Sequence, residues 1–357
     1  MKRSVITVLI IFLVVGIMGG GHSLPHMTEI TLAEPIFLIG LDRANKSAQA
    51  SKVSIIYEKI EAADEGGDSV NQKHTDSAEA SSPAAALEAL KKRFPREMAT
   101  STADYFLIGA AAAESLAEYI DFLKENNNLR LTASVFIVKG EASEAALILT
   151  ETKTLDILRN YGEYSGIGAF SSELKFYELL SEWAGNGAFV IPTLVIKEHA
   201  DEKIVVPGGY AIIKDGVLAG FIENGAARGY NIIKNKSVYS IVELNELNAA
   251  VRLENTESKI NFNLDGNNLK EIVIDVKISA KSASKTVGED FTALEREQNR
   301  VILNELQKTI DASRNFGCDF LGLGEMLRMR HPLKWEQIKA HWEEIYLQTP
   351  VTINITR

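Results

Sequence analysis

The end of the chain constrains the fold more than any other stretch. Between Asp319 and Arg357, Trp335, Ile338, Trp342 and Ile345 fall at i, i+3, i+7 and i+10. That is one face of a helix, with Lys334, Glu336, Gln337, Lys339 and Glu343 on the others. Pro332 suits the first helical turn, where a missing N–H costs nothing. After Pro350, Val351, Ile353 and Ile355 alternate with Thr352, Asn354 and Thr356, the period of a strand with one buried face. Two indoles and three aliphatics buried together, at ~1.5–3 kcal/mol per large side chain, can anchor a domain. Upstream, Val251–Glu254, Lys259–Leu264 and Glu271–Ser279 read as antiparallel strands, with Asp265-Gly-Asn-Asn268 turning between the last two. A helix from about Glu289 to Ser313 then carries Leu294, Val301, Leu303, Leu306 and Ile310. Strands, a long helix and a closing strand describe an α+β domain: an antiparallel sheet packed on the long helix and on the Trp-bearing helix.

At 357 residues the chain exceeds one ordinary core, so the expectation is a multi-domain α+β protein with mixed β-sheets flanked by helices. Pro35–Asp42 and Val53–Ile60 read as strands, the first nearly all apolar and so buried on both faces. Residues 61–82 turn to Gly, Ser, Asp, Asn and Glu, the composition of a mobile loop. A helix runs from Pro83 to about Phe94. Asp104–Gly109 (strand), Ala110–Lys124 (helix) and Leu129–Gly140 (strand) suggest a right-handed βαβ unit. Helices over Ser143–Leu149 and Ser172–Ala184 follow. The strand Phe189–Ile196 contains Pro192, which implies an edge or a bulge. The charged run Lys197–Lys203 suggests the boundary between an N-terminal α/β domain, 24–198, and a C-terminal α+β domain, 199–357. Beyond it, Gly209–Ile222 is a hairpin around Asp215-Gly216, the pair a type I′ turn favours.

Residues 1–23 comprise Lys2-Arg3, an apolar run of ~14 residues and a small-residue region, the pattern of an export signal. An uncleaved N-terminal anchor is the competing reading; either way the remaining chain works outside the cytoplasm. A formal net charge of −10 argues against nucleic acid as a partner. The single cysteine, Cys318, excludes an internal disulfide and a cysteine metal cluster, and reads as a small buried hydrophobe. Six scattered histidines form no metal-binding spacing, and His331 and His341 fall on different faces. Gly162-Glu-Tyr-Ser-Gly166 lacks the spacing of a nucleophile elbow, and Gly322-Leu-Gly324 lacks the third glycine of a dinucleotide loop. No catalytic, metal or cofactor residues are therefore expected. Asp319 reads as a cap on the backbone ahead of it, and Arg130 as a structural ion pair or a partner-binding cation. The Trp face reads as core, with a partner groove as the alternative.

Three stretches carry a resemblance. Asp319, Gly322, Gly324, Pro332, Trp335 and Trp342, followed by the closing strand, form one. Asp121-Phe122-Leu123, Arg130 and Lys139-Gly140 form the second, and Arg228-Gly229 with Ile232-Ile233 the third. In this order they resemble the C subunits of bacterial spore germinant receptors, the Ger(x)C lipoproteins. Glu125 and Thr102 depart from that pattern, standing where an Arg and a His are usual. The lipobox Cys is missing too: Glu29-Ile30 and Gly40-Leu41-Asp42 would place it at about Leu24, and no Cys lies near. Without a thiol no diacylglycerol thioether can form there. The resemblance implies a non-enzymatic extracytoplasmic subunit that associates with integral-membrane A and B subunits and serves nutrient-triggered germination. Its place would be the outer face of the spore inner membrane or cell membrane, held peripherally or by its N terminus, in a complex that senses a small nutrient germinant. Arg130, Arg228, Asp319, Gly322, Gly324, Pro332, Trp335 and Trp342 become structural or partner-facing candidates. An exported solute-binding protein or hydrolase is the alternative.

Overall fold

The computed structural model describes residues 33–44, 50–59, 72–163, 171–185, 187–236, 240–266, 268–283 and 291–356. The expected export signal or anchor, the Leu24 position and residues 61–71 of the expected loop lie outside the described residues.

The first sheet is built on strands β1 (Ala33–Arg43), β5 (Tyr105–Gly109), β6 (Ser134–Val138) and β7 (Ala188–His199), which are parallel neighbours. β2 (Ser51–Lys59) and β3 (Gln72–Ala80) extend it antiparallel beyond β1; β8 (Glu202–Lys214) and β9 (Val217–Ile222) extend it antiparallel beyond β7. A short β4 (Glu97–Ala99) lies parallel to the start of β1. Parallel strands need crossovers, and helices supply them on both faces. One face of the sheet, with Ile39, Phe106, Ile108, Val135 and Ile137, packs on α1 (Pro83–Lys91), α2 (Ala110–Ala113), α3 (Leu116–Glu125) and α6 (Phe176–Gly185). The other, with Leu38, Leu107, Phe136 and Val138, packs on α4 (Ala142–Glu151) and on Leu158 of α5 (Asp156–Glu163). This alternation within near-continuous apolar runs is why the runs read as buried on both sides.

Several expectations change here. The second half of the stretch read as a mobile loop is β3, whose residues pair with β2 from Ser51↔Ala80 to Lys59↔Gln72. It buries little beyond Ala78 and takes its order from backbone pairing at the sheet edge, which composition does not register. The helix expected over Ala110–Lys124 breaks at Ser115 (φ −131, ψ 47) into α2 and α3. β6 begins only at Ser134, because its partner β5 begins opposite it at Tyr105; Leu129 and Ala133 close turns onto Asn126 and Arg130 instead. Pro192, by contrast, takes one of its two expected places: it sits in an interior strand, at a bulge where the β7–β8 register shifts between Pro192 and Leu194. Lys197–Lys203 forms the tip of the β7–β8 hairpin, with Ala200 and Asp201 left-handed and His199 opposite Glu202. β8 and β9 thus complete the first sheet from the far side of that charged run.

α7 (Asn224–Ile233) follows β9 and leads to the second sheet, ordered β10 (Ile241–Leu244), β11 (Ala249–Asp265), β12 (Asn268–Ser282) and β13 (Val351–Thr356). Two separately expected strands are the single β11, bent by a register shift between Leu253 and Asn255. β10, β11 and β12 are antiparallel, and β13 joins β12 in parallel. The parallel arrival is possible because a long crossover precedes it: α8 (Phe291–Asn315), α9 (Leu323–Arg330), α10 (Pro332–Ile338) and α11 (Trp342–Gln348). One apolar cluster joins Tyr210, Ile212 and Ile222 of the first sheet to α7, α8 and the inner face of the second.

Candidate functional site

The motif residues at the end of the chain converge on one carboxylate. Gly317 (φ +60) ends α8 and Gly322 (φ +69) starts α9, both in the left-handed region that glycine tolerates. The tight path between them folds Asp319 back over the new helix. Its Oδ1 accepts from the Leu323 amide at 3.0 Å and its Oδ2 from the Gly324 amide at 2.7 Å. These are the otherwise orphaned donors of a helix start, so the capping role is met. Oδ2 also accepts from the Trp342 indole N–H at 3.0 Å. The expected Trp helix is not continuous: α10 gives way to a short 3-10 turn over Lys339–His341 before α11. The shared face survives the break. Ile338 and Trp342 are buried, Trp335 and Ile345 half-buried. The two indoles meet edge to face at 5.5 Å, and Trp342 stacks on Tyr346 at 5.9 Å. Gly324 lies beneath both rings: a Cβ there would stand 2.6 Å from Trp342 Nε1 and 3.0 Å from Trp335 Cη2.

A second set of bonds ties this knot to α8. Tyr346 Oη donates to Ser313 Oγ at 2.7 Å, which donates to the Cys318 carbonyl at 2.6 Å. Arg314 donates to the Thr349 carbonyl, and Lys234, just past α7, donates to the Leu321 carbonyl at 3.0 Å. Burial raises the Asp319 carboxyl to about 6, against the pull of two amides, the indole and Lys234. Burial likewise pushes the Cys318 thiol to about 11, leaving it an inert buried hydrophobe. Most polar groups in the knot are spent on one another; Arg314 Nε is buried there without a hydrogen-bond partner.

The remaining candidates lie elsewhere. Arg228 of α7 is buried and forks onto Glu305 of α8, with Nε donating to Oε2 at 2.7 Å and Nη2 pairing with Oε1. Gly229 permits that close crossing, and Thr309 Oγ1 donates to the Ala226 carbonyl at 2.7 Å. Arg130 is exposed and pairs with Asp104, with Nε donating to Thr132 Oγ1 at 3.0 Å. It lines an open cavity of about 600 Å³ with Lys73, Tyr105, Arg159, Glu173 and Lys175. Pro332 is exposed in the first turn of α10. Among the described residues no three His, Cys, Asp or Glu side chains group as a metal site, and no helix is long and apolar enough to cross a membrane.

One cluster escaped the sequence reading. Tyr210 Oη accepts from the Ser172 amide at 2.7 Å and donates to Asn231 Oδ1, and Lys236 Nζ donates to Ser172 Oγ at 2.7 Å. Lys236 also sits 5.7 and 5.5 Å from the Tyr210 and Tyr230 ring centres, and burial lowers its ammonium to about 8. It links the first sheet, α7 and the segment before α6. Its hydrogen-bonded pairs lie 21 to 64 positions apart, so no local pattern could have assembled them.

Comparison with known proteins adds the following. Residues 26–196 match the family profile described as the spore germination protein N-terminal domain, and residues 208–356 the profile described as spore germination B3/GerAC like, C-terminal. Spore germination protein KC of Bacillus subtilis (strain 168) is 22% identical over 395 residues, covering 99% of this chain and 94% of that protein. Spore germination protein YndF of the same organism is 19% identical, covering 67% of this chain and 62% of that one. The crystal structure of the GerBC protein superposes with a TM-score of 0.57 at 13% identity, covering 89% of this chain and 95% of that one.

Proposed function

This chain belongs to the Ger(x)C family of spore germination proteins, and we propose that it acts as the C subunit of a nutrient germinant receptor. In this reading it is a non-enzymatic, exported protein at the outer face of the spore inner membrane, associated there with integral-membrane A and B subunits. The observation that carries it is the agreement of both halves with one family, in family order, over 26–196 and 208–356. The chemistry of the motif residues supports it. Asp319, Gly322, Gly324, Trp335 and Trp342 hold a fold together and leave no acid, base or nucleophile facing a substrate. Arg130, exposed beside an open cavity, is the motif residue best placed to meet a partner. The test is affinity purification of the tagged full chain from detergent-solubilised spore membranes. Co-purification of two integral-membrane proteins is expected; a chain recovered alone from a detergent-free wash contradicts the proposal. A nutrient that raised the melting temperature of the purified chain by itself would favour the solute-binding alternative.

A further inference from the structure

The corner between α9 and α10 projects large apolar side chains into solvent. Leu333 is 81% exposed and Met329 65%, two of the three most exposed large apolar side chains among the described residues. They stand four positions apart on either side of the bend at His331, and Pro332 between them is exposed as well. A lone exposed leucine says little, because much of any protein surface is apolar. Two such side chains at one rigid corner, with a proline, are harder to dismiss. The third, Phe291, opens α8.

The charge around the corner points to what it meets. Residues 325–339 carry Arg328, Arg330, Lys334 and Lys339 against the two carboxylates of Glu325 and Glu336, in a chain of formal net charge −10. Arg328 pairs with Glu325 and Lys339 with Glu336, which keeps these long side chains at the rim. The Arg330 guanidinium donates to the Ile260 carbonyl of β11, fixing the corner against the second sheet. Beneath it, the Asp319 cap and the packed indoles hold α9 and α10 in place. An apolar tip inside a basic rim, on a firm base, suits the boundary between headgroups and acyl chains of an anionic bilayer.

We propose that the corner formed by Met329, Pro332 and Leu333, rimmed by Arg328, Arg330 and Lys334, is a membrane-contacting surface that takes anionic lipid. The inference rests on the reading of the chain as a membrane-associated subunit, and says which part of it faces the bilayer. It also gives a chain without a lipobox cysteine a second hold on the membrane.

The test uses the full chain with an environment-sensitive fluorophore on Leu333→Cys; Cys318, 1% exposed, stays unlabelled. A Glu243→Cys label on the outer face of β10 serves as the comparison. On vesicles containing anionic phospholipid, the label at position 333 should shift to the blue and be quenched by a lipid-borne quencher. Both effects should shrink as ionic strength rises and on purely zwitterionic vesicles, while the label at 243 stays in a water-like environment. A vesicle-bound chain whose label at 333 remains in water overturns the inference and leaves membrane association itself standing. Equal insertion into zwitterionic vesicles, or a shift seen only when a partner membrane protein is added, overturns it too. A chain that never floats with vesicles or spore membranes instead refutes the proposed function.

Discussion

The indole N–H of Trp342 donates to Asp319 Oδ2 at 3.0 Å across 23 positions of chain, and this bond locks the closing helices onto the end of α8. Asp319 thereby serves two masters, the first turn of α9 and the ring that covers it. Trp342→Ala removes a buried ring and should cost ~3–5 kcal/mol in denaturant unfolding. Trp342→Phe keeps much of the ring but deletes a donor to a buried carboxylate, and should cost ~1.5–3 kcal/mol. Equal stability of wild type and Trp342→Phe would show that the bond contributes nothing.

Gly324 and Gly322 are two positions apart and are glycine for different reasons. At Gly324 an added Cβ would stand 2.6 Å from Trp342 Nε1, so Gly324→Ala should shift the indoles, change the near-ultraviolet circular dichroism and cost ~1–3 kcal/mol. At Gly322 the nearest atom is the flexible end of Lys234 at 3.5 Å, and only the left-handed backbone resists. Gly322→Ala should cost ~1–2 kcal/mol with the aromatic spectrum unchanged.

Arg228 and Glu305 are each only 9% exposed, so neither can fall back on water when its partner is removed. Arg228→Met or Glu305→Leu alone should destabilise by ~3–5 kcal/mol. The double variant should lose clearly less than the sum, because the stranded charge is gone. Full additivity in the double-mutant cycle would contradict the coupling.

Much of this was legible in the chain. The alternation of Val351, Ile353 and Ile355, the helical spacing of Ile338 and Trp342, and the Asp215-Gly216 turn (φ 50 and 79) depend on neighbours within a few positions, and the structure places them as read. The Asp319 cap was legible for the same reason. What was not legible depends on distant strands. β3 is ordered by β2, the parallel sense of β13 by the crossover before it, and the Tyr210–Lys236 cluster by the packing of α7 under the first sheet. The partners of Arg228 and Trp342 lie 77 and 23 positions away, and no spacing rule names them.

Burial lifts the Asp319 carboxyl from an ordinary 3.8 to about 6, so the folded chain holds a proton there that the unfolded chain has already released. Stability contributed by this group is therefore full below about pH 4 and is lost as pH rises through 6. The stability difference between wild type and Asp319→Asn isolates the effect from other carboxylates. It should drift against the wild type by about 2–3 kcal/mol between pH 4 and 7, at 1.36 kcal/mol per pKa unit. A difference that stays flat, or that favours the wild type more as pH rises, would show the carboxylate ionised throughout.

The most direct test of the account is the nutrient response of spores that lack this gene, followed by loss of refractility across a panel of amino acids and sugars. The account predicts that the response to at least one nutrient disappears and returns when the wild-type chain is supplied. It also predicts that Trp342→Ala, which loosens the knot, restores it poorly. A null spore that answers every nutrient at the wild-type rate would contradict it.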